Sequence, residues 1–249
     1  MKTYGLIGFP LTHSFSQRYF SEKFANDNIN ARYLNFPISS IDDFTELFKH
    51  HPYLAGVNVT IPYKQEIISF LDELDMTAKE IGAVNVIKIL WKSKSPRLKG
   101  FNSDIIGFKN SLNPLLSSAH KKALILGTGG ASKAVAKGLK QLSIEFKYAS
   151  RTPANSDILG YNQITNETLS EYKLIVNTTP LGMFPKTDSC PDIPYSSLSS
   201  EHLLFDLIYN PEETLFLKKG NEQGAQIKNG LEMLHLQAEE AWRIWNSED

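Results

Sequence analysis

Short apolar runs alternate with stretches of helical period along the whole chain. Thr3-Tyr-Gly-Leu-Ile-Gly8 reads as a strand and Phe9 to Ser16 as a loop. A helix is predicted from about Gln17 to Asp27, a strand from Arg32 to Phe36, and a helix from Ile41 to Lys49. Leu54-Ala-Gly-Val-Asn-Val59 is a third strand. Thr60-Ile61-Pro62 then opens another helix, with Pro62 suited to its first turn. Glu73 to Ile81 is helical, Ala83 to Leu90 is a strand, and Trp91 to Gly100 is a polar turn carrying Lys92, Lys94, Pro96 and Arg97. After Asn102-Ser103-Asp104, a helix runs from Ile105 and stops near Pro114. Ala123 to Leu126, Phe146 to Ala149, Lys173 to Asn177 and Leu203 to Tyr209 are apolar enough for buried parallel strands. A helix from about Pro211 to Gln223 and a short strand from Ala225 to Lys228 follow. The last helix starts near Leu231 and carries Leu234, Ala238, Ala241, Trp242 and Trp245 on one face. Pro185 to Ser200 is the longest irregular stretch, which predicts a surface loop. The alternation predicts an α/β fold with mainly parallel sheets.

Composition narrows the class without naming a chemistry. The chain has 249 residues, enough for one large or two modest domains. Its net charge of -1 gives no ground for nucleic acid or an anionic membrane as a partner. Cys190 is the only cysteine, so no intramolecular disulfide can form, which fits a reducing compartment. The first apolar run is broken at Thr12-His13-Ser14, too early for a signal peptide, and no run approaches the roughly 20 residues that span a bilayer. These readings predict a soluble cytoplasmic protein.

Candidate chemistry begins at the glycine turn. Gly127-Thr128-Gly129-Gly130-Ala131-Ser132 follows an apolar strand. It precedes Ala134, Val135, Gly138, Leu139 and Leu142 at helical spacing. Such a turn presents free backbone N–H groups and a helix N-terminus to a pyrophosphate. Ser132 stands where the third glycine of the usual pattern falls, and its small side chain still permits close packing. Arg151 lies 24 residues after Gly127, past the next strand, where dinucleotide folds read the adenosine ribose. A guanidinium there matches the 2′-phosphate of NADP. Lys64 falls in the first turn of the helix predicted after Pro62, where a cation is electrostatically disfavoured and a proton more easily lost. Spacing alone nevertheless makes Lys64 an ordinary exposed lysine and Asp104 a helix cap. Ser14 and Ser16 offer hydroxyls in a loop; Asn58, Thr60 and Asn85 lie at strand ends; Met233 and Gln237 share one helix face. The six histidines and Cys190 show no metal-ligand spacing, and His50-His51 reads as a surface pair.

Taken together, Ser14-Phe-Ser16, Asn58-Val-Thr-Ile-Pro-Tyr-Lys64, Gly82-Ala-Val-Asn85, Asn102-Ser-Asp104 and Gly127-Thr-Gly-Gly-Ala-Ser132 are similar to segments of one enzyme family. So are Ser150-Arg-Thr152, Asn177-Thr-Thr-Pro-Leu-Gly-Met183, Asp206-Leu-Ile-Tyr-Asn-Pro211 and Gly230-Leu-Glu-Met-Leu-His-Leu-Gln237, in the same order. The chain resembles the shikimate dehydrogenases across nearly its whole length. The resemblance implies NADP-dependent, reversible reduction of 3-dehydroshikimate to shikimate, on the route to chorismate and the aromatic amino acids. It implies an α/β substrate-binding catalytic domain (1–103 and 231–249) and a Rossmann-like NADP-binding domain (104–230). The C-terminal helix would return to the substrate domain, and the cleft would close over its ligands. By motif, Lys64 and Asp104 are the catalytic pair at the C3 oxygen. Ser14 and Ser16 hold the substrate carboxylate with Tyr209 beside it, and Thr60, Asn85, Asp104 and Gln237 bind ring hydroxyls. Gly127, Gly129, Gly130 and Ala131 cradle the pyrophosphate, Arg151 meets the 2′-phosphate, and Thr179, Gly230 and Met233 take the nicotinamide end. No metal is implied, and the working form is expected to be a monomer or homodimer.

Three departures mark this chain within that pattern. Gln17 stands where the family usually has proline, Ser103 where it has threonine, and Ser150 where it has asparagine. Pro153 to Ser156 also lack a second basic residue. A quinate/shikimate dehydrogenase of broader cofactor use, a methylenetetrahydrofolate dehydrogenase-like enzyme, and a non-catalytic dinucleotide or metabolite sensor share the scaffold. An acidic residue near position 151 would favour the first and is absent; the Ser14, Ser16 and Gln237 set disfavours the second; loss of Lys64 or Asp104 would favour the third, and both are present.

Overall fold

Two six-stranded sheets organise the described residues. The computed structural model describes residues 1–11, 14–92 and 95–248; His13 and Lys94, named above, lie outside the described residues with Thr12, Ser93 and Asp249. The chain divides into two compact units, Met1–Ser103 with Ala238–Asp249, and Asp104–Gln237.

The first unit runs β1 (Lys2–Gly8), α1 (Phe15–Asn26), β2 (Ala31–Pro37), a 3-10 turn (Ile41–Glu46) continued by α2 (Leu47–His50), and β3 (Leu54–Val59). A 3-10 segment (Glu66–Phe70), β4 (Glu73–Leu74), α3 (Met76–Ile81), β5 (Val86–Lys92) and β6 (Ser95–Phe101) follow. The sheet order is β2-β1-β3-β5-β6-β4. β1 is parallel to β2 and β3, whereas β5 runs antiparallel to both β3 and β6. Reversal at β5 has a functional consequence. The C-terminal ends of β1, β3 and β6 and the N-terminal end of β5 all lie at one end of the sheet. Thr60, Asn85 and Asn102-Ser103 therefore gather there, although a strand end in sequence does not say which end it is.

Alternation along the strands sorts their side chains onto two faces. Ile7, Val57, Val59, Ile87 and Ile89 build one core with Phe44 and Ile67. Tyr4, Leu6, Tyr33 and Val86 face the other way and pack on Phe20 and Phe24 of α1 and on Ala241, Ile244 and Trp245.

Several predicted elements change extent here. The polar turn expected over Trp91 to Gly100 is a β-hairpin of β5 and β6. β6 buries only Leu98 and Gly100, exposes Ser95 and Arg97 and half-buries Lys99 and Phe101, so its polar positions disguised a strand. The helix predicted from Glu73 begins at Met76, because the Asp75 carboxylate caps the Thr77 and Ala78 N–H groups at 3.2 and 2.8 Å. Gly82, at φ +66°, ends it. Of the expected surface pair, His50 is exposed and His51 is half-buried, its ring 5.0 Å from that of Phe36, and burial lowers its pKa.

The second unit runs α4 (Asp104–Leu112), a 3-10 turn (Asn113–Leu115), β7 (Lys122–Leu126), α5 (Gly130–Gln141), β8 (Glu145–Ser150) and β9 (Ile158–Gly160). It continues through α6 (Asn166–Glu171), β10 (Leu174–Asn177), β11 (Leu203–Asp206), α7 (Leu215–Asn221), β12 (Gln226–Lys228) and the first turns of α8 (Leu231–Asn246). The helix expected from Pro211 starts later, where Thr214 caps it. All pairings are parallel, in the order β12-β11-β10-β7-β8-β9. The chain winds outward from β7 to β9, then returns to β10 and winds the other way. Such an order opens a crevice between the loops after β7 and β10.

Ala123, Ile125, Leu174, Val176, Leu203 and Phe205 face Phe108, Val135 and Leu139 on one side. Leu124, Leu126, Ile175 and Leu204 face Phe216 and Leu217 on the other. The Pro185–Ser200 stretch is only partly a surface loop. Its second half holds a 3-10 turn at Tyr195–Ser197, and it buries Ile193 and Leu198 in that second core.

Two histidines in this unit share one local motif. Ser117 N–H donates to His120 Nδ1 and Ser199 N–H to His202 Nδ1, each at 3.0 Å. Both Nε2 atoms face backbone carbonyls, of Glu201 and Leu169. That pattern suits neutral imidazole protonated at Nε2, because a second proton at Nδ1 would meet an N–H. Burial lowers both pKa values. The unfolded chain therefore takes up protons first as pH falls below about 6.5, so their stabilising contribution is complete above that value and lost beneath it. Buried Asp206 acts oppositely, since its carboxyl is pushed up to about 6 by burial. The measure is thus a comparison: lowering pH from about 7.5 to about 6 should cost the parent protein more in Tm than a His120→Asn/His202→Asn variant. Parallel Tm–pH curves would refute this assignment.

Candidate active site

Ser14 ends the expected loop and Ser16 lies beyond it, inside a helix. Ser14 is the N-cap of α1, its Oγ accepting the Gln17 N–H at 3.1 Å, and Ser16 sits in the first turn. A proline at position 17 would lack that N–H. The Gln17 side chain accepts from Asn35 Nδ2 of β2 at 2.9 Å. Gln17 thus ties the start of α1 to the sheet through its side chain.

Half-buried Ser16 lies next to a buried polar chain. Its side chain lies beside the Tyr33 phenol, whose O–H donates to Asn58 Oδ1 at 2.7 Å. Asn58 Nδ2 donates to the Asn85 carbonyl at 3.3 Å. The Asn85 side chain in turn accepts the Ser103 N–H at 2.7 Å and donates to Ser103 Oγ at 3.0 Å. The Tyr33 ring stacks on Phe20 at 4.8 Å, and its burial holds the phenol pKa well above the ordinary value. Tyr33 was absent from the sequence-derived candidates. The available signal was asparagine within the apolar run Leu54 to Val59, since a buried amide requires partners.

No helix begins at Pro62. Residues 61–65 form turns, and the 3-10 segment starts only at Glu66. The Lys64 carbonyl accepts the Val84 N–H at 2.7 Å, a bond that diverts it from a helical i,i+4 pairing. The helix dipole expected to act on Lys64 is therefore missing. The same bond ties Lys64 to the segment that carries Asn85.

In the second unit, Asp104 opens α4 and Gln237 lies on α8. These helices meet at Gly107, where a Cβ would lie 2.6 Å from the Met233 carbonyl oxygen and 3.0 Å from Gln237 Cβ. Only glycine allows that approach, which makes Asp104 and Gln237 residues of neighbouring helices. Tyr209, beyond β11, is 40% exposed.

The glycine turn has the geometry expected of a phosphate cradle. Gly127 has φ +105°, and a Cβ on it would come within 2.8 Å of Thr178 Oγ1. Gly129 caps α5 without a side-chain bond, a Cβ there would meet nothing within 4 Å, and the first helical turn has no acidic residue. Uncapped N–H groups with open space before them suit an anion. Gly130 and Ala131 open the helix behind that space. Ser132 replaces a glycine without obstruction, its hydroxyl folded onto the Gly129 carbonyl at 2.7 Å. Gly127, Gly129, Arg151 and Thr179 line one pocket of about 220 Å³. Arg151, Tyr161 and Leu181 also line an adjoining groove of about 730 Å³, together with Cys190 and Asp192. Tyr161, absent from the sequence-derived set, carries a buried hydroxyl without a hydrogen-bond partner among the described residues. These residues fit a dinucleotide phosphate and an adenosine.

Gly230 and Met233 do not line that pocket. The Gly230 N–H donates to the Ile208 carbonyl at 3.0 Å, and the Met233 side chain enters the core with Phe108 and Phe205. Thr179 is held by Asn177, whose Oδ1 accepts its N–H at 3.0 Å and its hydroxyl at 2.7 Å. Asn177 is held by Asp206 at 3.0 Å.

Among the described residues no helix is long and apolar enough to cross a membrane. Residues 6–87 match the model of the shikimate dehydrogenase substrate binding domain. A shikimate dehydrogenase (NADP(+)) of Desulforamulus reducens is 36% identical, over 97% of this chain and 88% of its own length. The crystal structure of shikimate dehydrogenase from Aquifex aeolicus superposes with a TM-score of 0.87 at 36% identity, covering 99% of this chain and 92% of that one. The Thermus thermophilus enzyme, solved in complex with NADP(H) and shikimate, gives 0.85 at 29% identity, covering 99% and 94%. With this similarity running through both sheets, the chain belongs to the shikimate dehydrogenase family.

Proposed function

We propose that this protein catalyses the reversible, NADP-dependent interconversion of 3-dehydroshikimate and shikimate, within aromatic amino acid biosynthesis. The observation that carries the reading is Arg151 lining the same pocket as Gly127 and Gly129, in a chain of this family. Residues 1–103 and 231–249 are the substrate-binding catalytic domain and residues 104–230 the NADP-binding domain, acting in the cytoplasm as a monomer or homodimer. The family match over residues 6–87 and the strand order of the second unit support that division.

Ser14 and Ser16 hold the substrate carboxylate, with Tyr209 beside it. Thr60, Asn85, Asp104 and Gln237 bind the ring hydroxyls. NADP supplies the hydride donor or acceptor. Lys64 delivers a proton to the C3 oxygen during reduction and removes it during oxidation, while the Asp104 carboxylate holds the substrate hydroxyl. Gly127, Gly129, Gly130 and Ala131 bind the pyrophosphate, Arg151 the 2′-phosphate, and Thr179, Gly230 and Met233 the nicotinamide end.

Following NADP reduction with shikimate, with quinate and with no substrate tests the reaction; turnover with quinate alone would reject it. Arg151→Ala should weaken NADP by about 10- to 100-fold while changing NAD little, because a charge-assisted pair to phosphate is lost. Unchanged NADP affinity would remove Arg151 from this role.

A further inference from the structure

One buried carboxylate joins all the segments assigned to the nicotinamide end. Asp206, fully buried at the end of β11, accepts three donors. Asn177 Nδ2 and the Ile208 N–H reach Oδ1, both at 3.0 Å, and Thr214 Oγ1 reaches Oδ2 at 2.6 Å. Each donor leads to a different element. Asn177 holds both the N–H and the hydroxyl of Thr179 in the loop after β10. Ile208 passes its carbonyl to the Gly230 N–H before α8, and Tyr209 follows it in the chain. Thr214 caps α7, accepting the Leu217 N–H at 3.4 Å. Asn177 and Thr214 are as fully buried as Asp206. An acceptor-only group with two oxygens meets this set of donors; a neutral amide in its place would turn an N–H toward one of them.

We propose that Asp206 is a positioning residue for the nicotinamide half of the cofactor site. It touches no ligand; it sets the places of Thr179 and of the Leu207–Tyr209 backbone that receives Gly230. The inference rests on the assignment of Thr179 and Gly230 to the nicotinamide end.

The test compares binding of NADPH with binding of 2′-phospho-ADP-ribose, which keeps the 2′-phosphate and pyrophosphate but lacks nicotinamide. In Asp206→Asn the Kd for NADPH should rise about tenfold, the scale of one lost buried hydrogen bond, while the fragment binds as before. Thr214→Ser should bind NADPH normally, and Thr214→Val should resemble Asp206→Asn. Should Asp206→Asn fail to fold, Asn177→Ala and Thr214→Val carry the same comparison. A purely structural role would weaken both ligands together, and that outcome, like unchanged NADPH binding in a folded variant, overturns the proposal. Thr179→Val separates the two levels. If it shifts the NADPH-to-fragment ratio while the Asp206, Asn177 and Thr214 variants do not, Asp206 has no positioning role. If it leaves the ratio unchanged, the placement of Thr179 fails, and the inference falls with it.

Discussion

Replacing Lys64 with alanine should lower kcat for shikimate oxidation by about 10²- to 10⁴-fold, the usual contribution of a positioned general acid or base. NADP affinity should stay within about twofold, because Lys64 belongs to the first unit and the glycine cradle to the second. The fold should survive. The Lys64 carbonyl accepts the Val84 N–H at 2.7 Å through the main chain, and alanine keeps that bond. Shikimate binding should be retained, since ring hydroxyls are assigned to Thr60, Asn85 and Gln237 as well. Single-turnover measurements with saturating NADP separate the chemical step from binding. Near-parental turnover in a folded Lys64→Ala protein would remove it from the proton transfer.

The second large effect is expected at Gly230, through structure rather than chemistry. A Cβ there would lie 2.1 Å from the Leu207 carbonyl oxygen and 2.6 Å from its carbonyl carbon. Both atoms are backbone, so no side-chain rotation relieves the contact. Gly230→Ala must separate the segment before α8 from the loop after β11, which breaks the Gly230 N–H bond to Ile208. Overpacking of this kind costs about 1–3 kcal/mol. Denaturant titration should show that loss, and NADPH titration should show weakened binding in the folded fraction. A variant with parental stability and NADPH affinity would show that the two segments separate freely.

Much of the second unit was legible because its central strands β7, β10 and β11 are buried on both faces. Ala123–Leu126 and Lys173–Asn177 are continuous apolar runs that β7 and β10 match to within a residue, and β11 starts at Leu203 as expected but ends at Asp206, three residues before Tyr209. β6 was missed for the converse reason: it buries only Leu98 and Gly100 and carries Ser95, Pro96, Arg97 and Lys99 among its seven residues. The helix expected at Pro62 failed because a distant residue, Val84, takes the carbonyl that a local pattern assigns to the helix. Ser14 was read as part of a loop because its capping role shows only in the hydrogen bond to the Gln17 N–H.

The candidate residues themselves were legible as motifs, and motifs are local. Gly127, Gly129 and Arg151 follow a pattern whose spacing is dictated by a strand, a helix and a second strand, so the sequence sufficed to pair them. Glycine at 127 and 129 was required by a positive φ and by open space for a ligand, both consequences of that same local unit. Partnership between distant segments was decided elsewhere. Tyr33 and Asn58 link β2 to the Asn85 carbonyl, Gly107 lets α4 meet α8, and Asp206 gathers Asn177, Ile208 and Thr214. Strand register and helix approach set those contacts. They arise when the chain closes on itself, and a hydrogen bond of about 2.6–3.0 Å depends on that closure far more than on the separation of its partners along the sequence.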